Sequence, residues 1–121
     1  MTRTDYTPGV HAVVDLEGVS RELLSDPGGL AHLWNALIKE CGLTKLSDFY
    51  HVFENEGGFT GVICLTESHL SIHTWPEYGR VTFDVFLSNY QKVNDGHSET
   101  IVEKTCTYFN GRCTRKNLIR R

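Results

Sequence analysis

The 121-residue chain has little that would tie it to a membrane, a nucleic acid or an oxidising compartment. No stretch approaches the ~20 apolar residues that a membrane-crossing helix needs, which excludes a helical span. The first residues, MTRTDYTPG, hold no apolar signal core, so a cytoplasmic location is expected. Positive charge is not in excess: 12 Lys and Arg stand against 15 Asp and Glu, a net charge of −3. Surfaces that bind nucleic acid are normally basic, so that class of partner is excluded. Arg115-Lys116 and Arg120-Arg121 are local exceptions and read as a solvated tail. The four cysteines, Cys41, Cys64, Cys106 and Cys113, have no CxxC spacing, which removes the common redox and zinc motifs. Reduced thiols follow, with Cys41 and Cys64 expected to be packed. Repeats, low-complexity tracts and linkers are also missing.

What remains is a chain long enough for one domain, residues 1–121, that buries roughly two thirds of its unfolded surface. His11 to Leu16 follows the Pro8-Gly9 turn signal and reads as a strand. Asp26-Pro27 reads as a helix cap with proline in the first turn. Leu30, Leu33, Trp34, Leu37 and Ile38 then mark one apolar helical face, which Gly42 ends. Strands are expected at Phe49–Phe53, Phe59–Leu65, Leu70–Trp75 and Val81–Leu87, with a turn at Glu56-Gly57-Gly58. A second helix is expected from about Ser98 to Phe109. The order β-α-β-β-β-β-α with hairpin-length links implies an α/β (α+β) fold. Its form is a two-layer sandwich, a mostly antiparallel sheet with helices on one face.

Chemistry concentrates between Leu65 and Val81, LTESHLSIHTWPEYGRV. Strand periodicity turns Leu70, Ile72 and Thr74 toward a core and His69, Ser71 and His73 the other way. That second face is too polar to be core, so it is either solvent or a site. His69 and His73 could both ligate zinc, but no third ligand stands at usual spacing, and no metal is expected. Glu67 and His69 flank Ser68 where a nucleophile elbow needs small residues, so ordinary serine hydrolysis does not fit.

The run Glu67-Ser68-His69-Leu70-Ser71-Ile72-His73-Thr74-Trp75-Pro76-Glu77 resembles the signature of the small prokaryotic S-adenosylmethionine decarboxylases. These are self-processing, pyruvoyl-dependent enzymes of polyamine biosynthesis. The likeness covers most of the chain and fades after Asn89. It implies cleavage between Glu67 and Ser68 into a β chain, 1–67, and an α chain, 68–121. Ser68 would attack the Glu67 carbonyl and, after elimination and loss of ammonia, become an N-terminal pyruvoyl cofactor. The resemblance assigns His73 to proton abstraction during processing and Thr60 to hydrogen-bonding the intermediate. It matches Glu77 to a glutamate that binds ribose hydroxyls and Phe53 to a ring that stacks on adenine. A pyruvoyl ketone forms a Schiff base with a substrate amine and accepts the electron pair left by carbon dioxide. Members are homodimers or dimers of dimers whose sites draw on facing subunits.

Two departures bear on substrate. Relatives carry a cysteine, assigned as proton donor, where this chain has Ser88, a far weaker acid. Many also have a glutamate and then a cysteine in the first strand, where this chain reads Asp15, Glu17 and Gly18-Val19. The substrate is expected to be a small cationic amino acid: S-adenosylmethionine first, with L-ornithine or L-arginine as alternatives on the same scaffold. Carboxylates such as Glu17, Glu77 or Asp84 suit any of these cations. An uncleaved activating partner of a catalytic relative is the non-enzyme alternative, against which the intact Glu67-Ser68 pair and His73 weigh.

Overall fold

In the computed structural model, which describes residues 6–90 and 92–121, the elements run in the expected order with three additions. They are β1 (Val10–Glu17), α1 (Arg21–Leu24), α2 (Pro27–Glu40), β2 (Lys45–Val52), β3 (Phe59–Leu65) and β4 (Ser68–Trp75). A 3-10 turn (Pro76–Tyr78), β5 (Arg80–Leu87), α3 (Asp95–Phe109) and β6 (Arg112–Arg120) follow. Among the described residues the strands form one sheet in the order β2-β3-β4-β5-β1-β6, with each neighbouring pair antiparallel. No helix there is long and apolar enough to cross a membrane.

Local chemistry sets the ends of the helices. Asp26 caps α2 by accepting from Gly29 N at 3.0 Å, and Pro27 occupies the first turn. At the other end Gly42 takes φ +68°, Gly42 N donates to Lys39 O and Leu43 N to Ile38 O. That double bond is a Schellman stop, which needs a residue free to enter the left-handed region. Helix α3 begins at Asp95, three residues before the expected Ser98. Asn94 supplies the carbonyl that receives Ser98 N at 2.9 Å.

One face of the sheet is buried. Val14, Leu16, Ile63, Leu70, Ile72 and Val85 meet Leu30, Trp34, Ile38, Ile101 and Phe109 in one core. Helices α2 and α3 cover this side, and Trp34 Nε1 donates to Thr105 Oγ1 at 3.0 Å, so the buried indole is satisfied. Thr74, 5% exposed, accepts from Phe59 N at 2.9 Å and donates to the Leu24 carbonyl at 2.7 Å. Thr74→Val keeps the shape and strands both backbone groups. It should lower the unfolding free energy by about 1–3 kcal/mol, read as a lower urea midpoint at unchanged slope.

Two expectations fail at the margins. The basic C-terminus is not a tail: Arg112–Arg120 is β6, paired along β1 from Glu17↔Arg112 to Val10↔Arg120. All nine of its residues are exposed, so no alternation marks it as a strand. Cys64 is exposed rather than packed, whereas Cys41 is buried, which pushes its thiol up.

Candidate active site

The open face of the sheet is polar in ordered rows. His51, Thr60, His73, Thr82, Asp15 and Arg115 lie side by side across six strands, from β2 to β6. Expected site residues form two groups toward the sheet's two ends, and a third cluster lies on this face.

The first group sits at the tip of the β3–β4 hairpin. Leu65 pairs with Ser68, leaving Thr66 and Glu67 as a two-residue turn. Glu67 has φ +57°, the left-handed region that costs an L-residue roughly 1–2 kcal/mol. The Glu67–Ser68 peptide bond therefore leaves a strained residue. Ser68 Oγ accepts from Ser88 N at 3.0 Å. Ser88 is itself fixed: its carbonyl accepts from Asn94 Nδ2 at 2.8 Å, and Asn94 N donates to Asn89 Oδ1 at 2.7 Å. Asn94 Oδ1 is buried without a partner among the described residues. A cavity of about 550 Å³ opens here, lined by Thr44, Glu67, Ser68, Ser88, Lys92 and Asn94 among others.

The second group lies at the far end of β4. Thr60 and His73 are cross-strand partners, and Thr60 Oγ1 lies 2.9 Å from His73 Nδ1. A cavity of about 440 Å³ is lined by Phe53, Thr60, His73, Trp75 and Glu77. Phe53 lies beyond the end of β2, not within it as expected, and is 48% exposed. Its ring stands edge-on to His51 at 4.9 Å between centroids, so plain core packing does not explain it. Glu17 is paired with Arg80 and Arg112, and Asp84 with two histidines. Of the three carboxylates Glu77 alone makes no ion pair among the described residues.

The structure brings Ser68 to Ser88, and His73 to Thr60, Phe53 and Glu77. It does not bring Ser68 to His73. Five residues of strand separate them, roughly 17 Å at 3.4 Å per residue, and odd spacing turns their side chains to opposite faces.

The third group was not anticipated. His69 pairs not with His73 but with Asp84 and, through it, His11. His11 Nε2 and His69 Nε2 lie 2.6 and 2.8 Å from the same oxygen, Asp84 Oδ2. Ser71 Oγ donates to Asp84 Oδ1. Burial alone would raise the Asp84 carboxyl. Hydrogen bonds from Ser71, His11 and His69, with the His69 charge, outweigh it and hold the group below the ordinary carboxylate value.

With this geometry, comparison with known proteins becomes informative. The family model described as S-adenosylmethionine decarboxylase matches residues 10–121. The chain belongs to the S-adenosylmethionine decarboxylase family. It is 46% identical over 80 residues to the S-adenosylmethionine decarboxylase proenzyme of Hydrogenobaculum sp. (strain Y04AAS1), covering 66% of this chain and 59% of that protein. With the Thermoplasma volcanium proenzyme it shares 38% identity over 96 residues, 79% of this chain and 73% of the relative. The crystal structure of the adenosylmethionine decarboxylase from Aquifex aeolicus VF5 superposes with a TM-score of 0.77 at 30% identity, over 97% of this chain and 91% of that one. The matched stretch spans about three fifths (59%) of the Hydrogenobaculum and Picrophilus torridus relatives.

As a member of the S-adenosylmethionine decarboxylase family, the chain extends its likeness further than its motifs suggested. The match continues past Asn89 to residue 121, so α3 and β6 belong to the family domain. Asn89 and Asn94, which hold Ser88 in place, carry no motif of their own and escaped the sequence reading. The signal available was their position in the polar Asn89–Asn94 link between β5 and α3.

Proposed function

We propose that this chain is a self-processing decarboxylase that converts Ser68 to a pyruvoyl group and acts on S-adenosylmethionine, with each site shared by two copies. The observation that carries the reading is the Glu67–Ser68 junction. A left-handed glutamate precedes a serine whose oxygen is held by a backbone N–H at a cavity wall. Leaving the left-handed region releases strain, which favours any step that breaks the turn.

In that step Ser68 Oγ bonds to the Glu67 carbonyl carbon, the peptide C–N bond breaks, and the freed nitrogen gains a proton. Elimination across Cα and Cβ of residue 68 releases Glu67 as a carboxylate, and water then displaces ammonia. The products are chains 1–67 and 68–121. The resulting ketone supplies an electrophile for an amine and an electron sink for departing carbon dioxide.

The second cavity supports the substrate assignment. Phe53 and Trp75 place two aromatic rings on the cavity wall that suit adenine, and the Glu77 carboxylate, with no ion pair among the described residues, suits ribose hydroxyls and a nearby sulfonium. Ornithine and arginine require no such rings.

Two copies supply what one lacks. A two-fold axis perpendicular to β4 would run the two β4 strands antiparallel. The Ser68 end of one copy then lies toward the Thr60–His73 end of the other. His73 acts there as the proton acceptor in processing, with Thr60 hydrogen-bonded to it. The four free thiols agree with a cytoplasmic location.

The test is carbon dioxide release from carboxyl-labelled S-adenosylmethionine, L-ornithine and L-arginine by freshly purified protein. Release from S-adenosylmethionine alone is expected. Release from a basic amino acid would reassign the substrate, and silence on all three in cleaved protein would remove the decarboxylase reading. At Ser88 the expected result is graded: Ser88→Cys places a stronger acid at the cavity wall. It should raise kcat by about tenfold or more if proton return limits turnover. An unchanged kcat would take the residue 88 side chain out of that step.

A further inference from the structure

We propose that His11, His69 and Asp84 form a binding site for a divalent transition-metal ion, zinc foremost, on the open face of the sheet. The three residues come from adjacent strands: β1, β4 and β5. Phe86 is the direct cross-strand partner of both histidines, and Asp84 lies two residues before it. The sheet therefore aims both imidazoles diagonally at one carboxylate. One ligand atom from each residue lies within 4.8 Å of the other two, and both Nε2 atoms stand within 2.8 Å of Asp84 Oδ2.

Two imidazoles and a carboxylate on one side of a site suit zinc, cobalt or ferrous ions, with water completing the coordination. Calcium and magnesium, which prefer oxygen, do not fit. The supporting groups are in place too. Ser71 Oγ donates to Asp84 Oδ1, which leaves Oδ2 facing the histidines. The side chains of His11, His69 and Asp84 are 15%, 37% and 22% exposed, so an ion can enter without unfolding the sheet. Metal–ligand bonds near 2.0–2.1 Å put ligand atoms about 3.3 Å apart in a tetrahedral site. The cluster must open by about 0.5–0.7 Å, a small rotation of both imidazoles about the Asp84 carboxylate.

One group opposes the ion. Arg121 Nη1 lies 3.2 Å from His11 Nδ1 and donates to it, which places the His11 proton on Nε2. Binding through Nε2 requires the proton on Nδ1, so the guanidinium must leave, and its charge repels the cation. This competition gives the proposal a signature that a plain hydrogen-bond cluster lacks.

The experiment is titration of the purified full chain with zinc chloride by calorimetry, and with cobalt chloride by absorption. One ion per chain is expected, with cobalt ligand-field bands and no thiolate charge-transfer band, which separates this site from the cysteines. His69→Ala and Asp84→Asn should each weaken binding by about 100-fold or more, beyond the 10–100-fold typical of losing an outer-shell partner. Arg121→Gln should tighten it. Its exposed position makes misfolding an unsuitable explanation for any change, and circular dichroism checks the other two. Absence of saturable zinc binding, or binding unaltered by His69→Ala and Asp84→Asn, would overturn the proposal. So would an Arg121→Gln protein that binds no more tightly than wild type. None of these readouts depends on decarboxylation, so failure here leaves the proposed activity untouched.

Discussion

Ser68→Ala should remain a single 121-residue chain and release no carbon dioxide, whereas the parent should separate into fragments of 67 and 54 residues on a denaturing gel. The reason is atomic. The proposed cut begins with a bond from Oγ to the Glu67 carbonyl carbon, and alanine has no oxygen to form it. The same residue supplies the future ketone, so processing and activity are lost together rather than in proportion. Misfolding does not explain such a loss. Ser68 sits at the strand end, and among the described residues its side chain makes one hydrogen bond, received from Ser88 N. Removing one such bond costs about 1 kcal/mol, a minor part of a domain's stability of about 5–15 kcal/mol. An intact mass with a near-parental urea midpoint is thus the expected pair of observations. A Ser68→Ala protein that is cleaved between residues 67 and 68, or that decarboxylates, would end the proposal.

The strained turn sharpens this result. With the bond intact in Ser68→Ala, Glu67 should stay in the left-handed region, whereas the proposed cleavage in the parent would free it. The strain therefore belongs to the precursor and not to the product, which is the sense needed to drive the reaction forward.

Much of this architecture was legible in the sequence because the signals were local. Asp26-Pro27 and Gly42 bound α2 at both ends, and Phe59–Leu65 is the strand that its apolar residues and flanking turn suggest. The alternation of Leu70, Ile72 and Thr74 against His69, Ser71 and His73 divides the faces as expected, with the first three buried. β6 was hidden because its order comes from backbone pairing with β1 while every side chain meets solvent. A strand of that kind has no periodicity to read.

The site was legible in content but not in arrangement. The motif groups Ser68 with His73 along the chain, yet a strand stretches five residues over roughly 17 Å. Nearness along the chain is therefore not contact within one copy. The His69 environment failed in the converse way, because its partners His11 and Asp84 lie 58 residues before it and 15 after it and meet only through sheet register. A single sequence without strand order contains no statement of that register.

The separation of Ser68 from His73 leads to the second large effect, which is a test of shared sites. Ser68→Ala and His73→Ala should each be inactive alone, the second by about 10²–10⁴-fold in processing rate if His73 takes the serine proton. Made together in one cell, the two variants should recover activity. In a mixed dimer one site joins the intact Ser68 of one copy to the intact His73 of the other, and the second site holds both substitutions. Random pairing makes half the dimers mixed with one of two sites complete, so about one quarter of the parental activity should return. Cleavage should reappear only in chains that carry Ser68, which mass spectrometry reads directly from the His73→Ala chain. Mixing the separately purified proteins gives the same end point more slowly if subunits exchange. If the co-produced pair stays uncleaved and inactive while the variants demonstrably associate, His73 does not serve Ser68 across the interface. The roughly 17 Å of strand within one chain would then leave His73 no route to the serine at all.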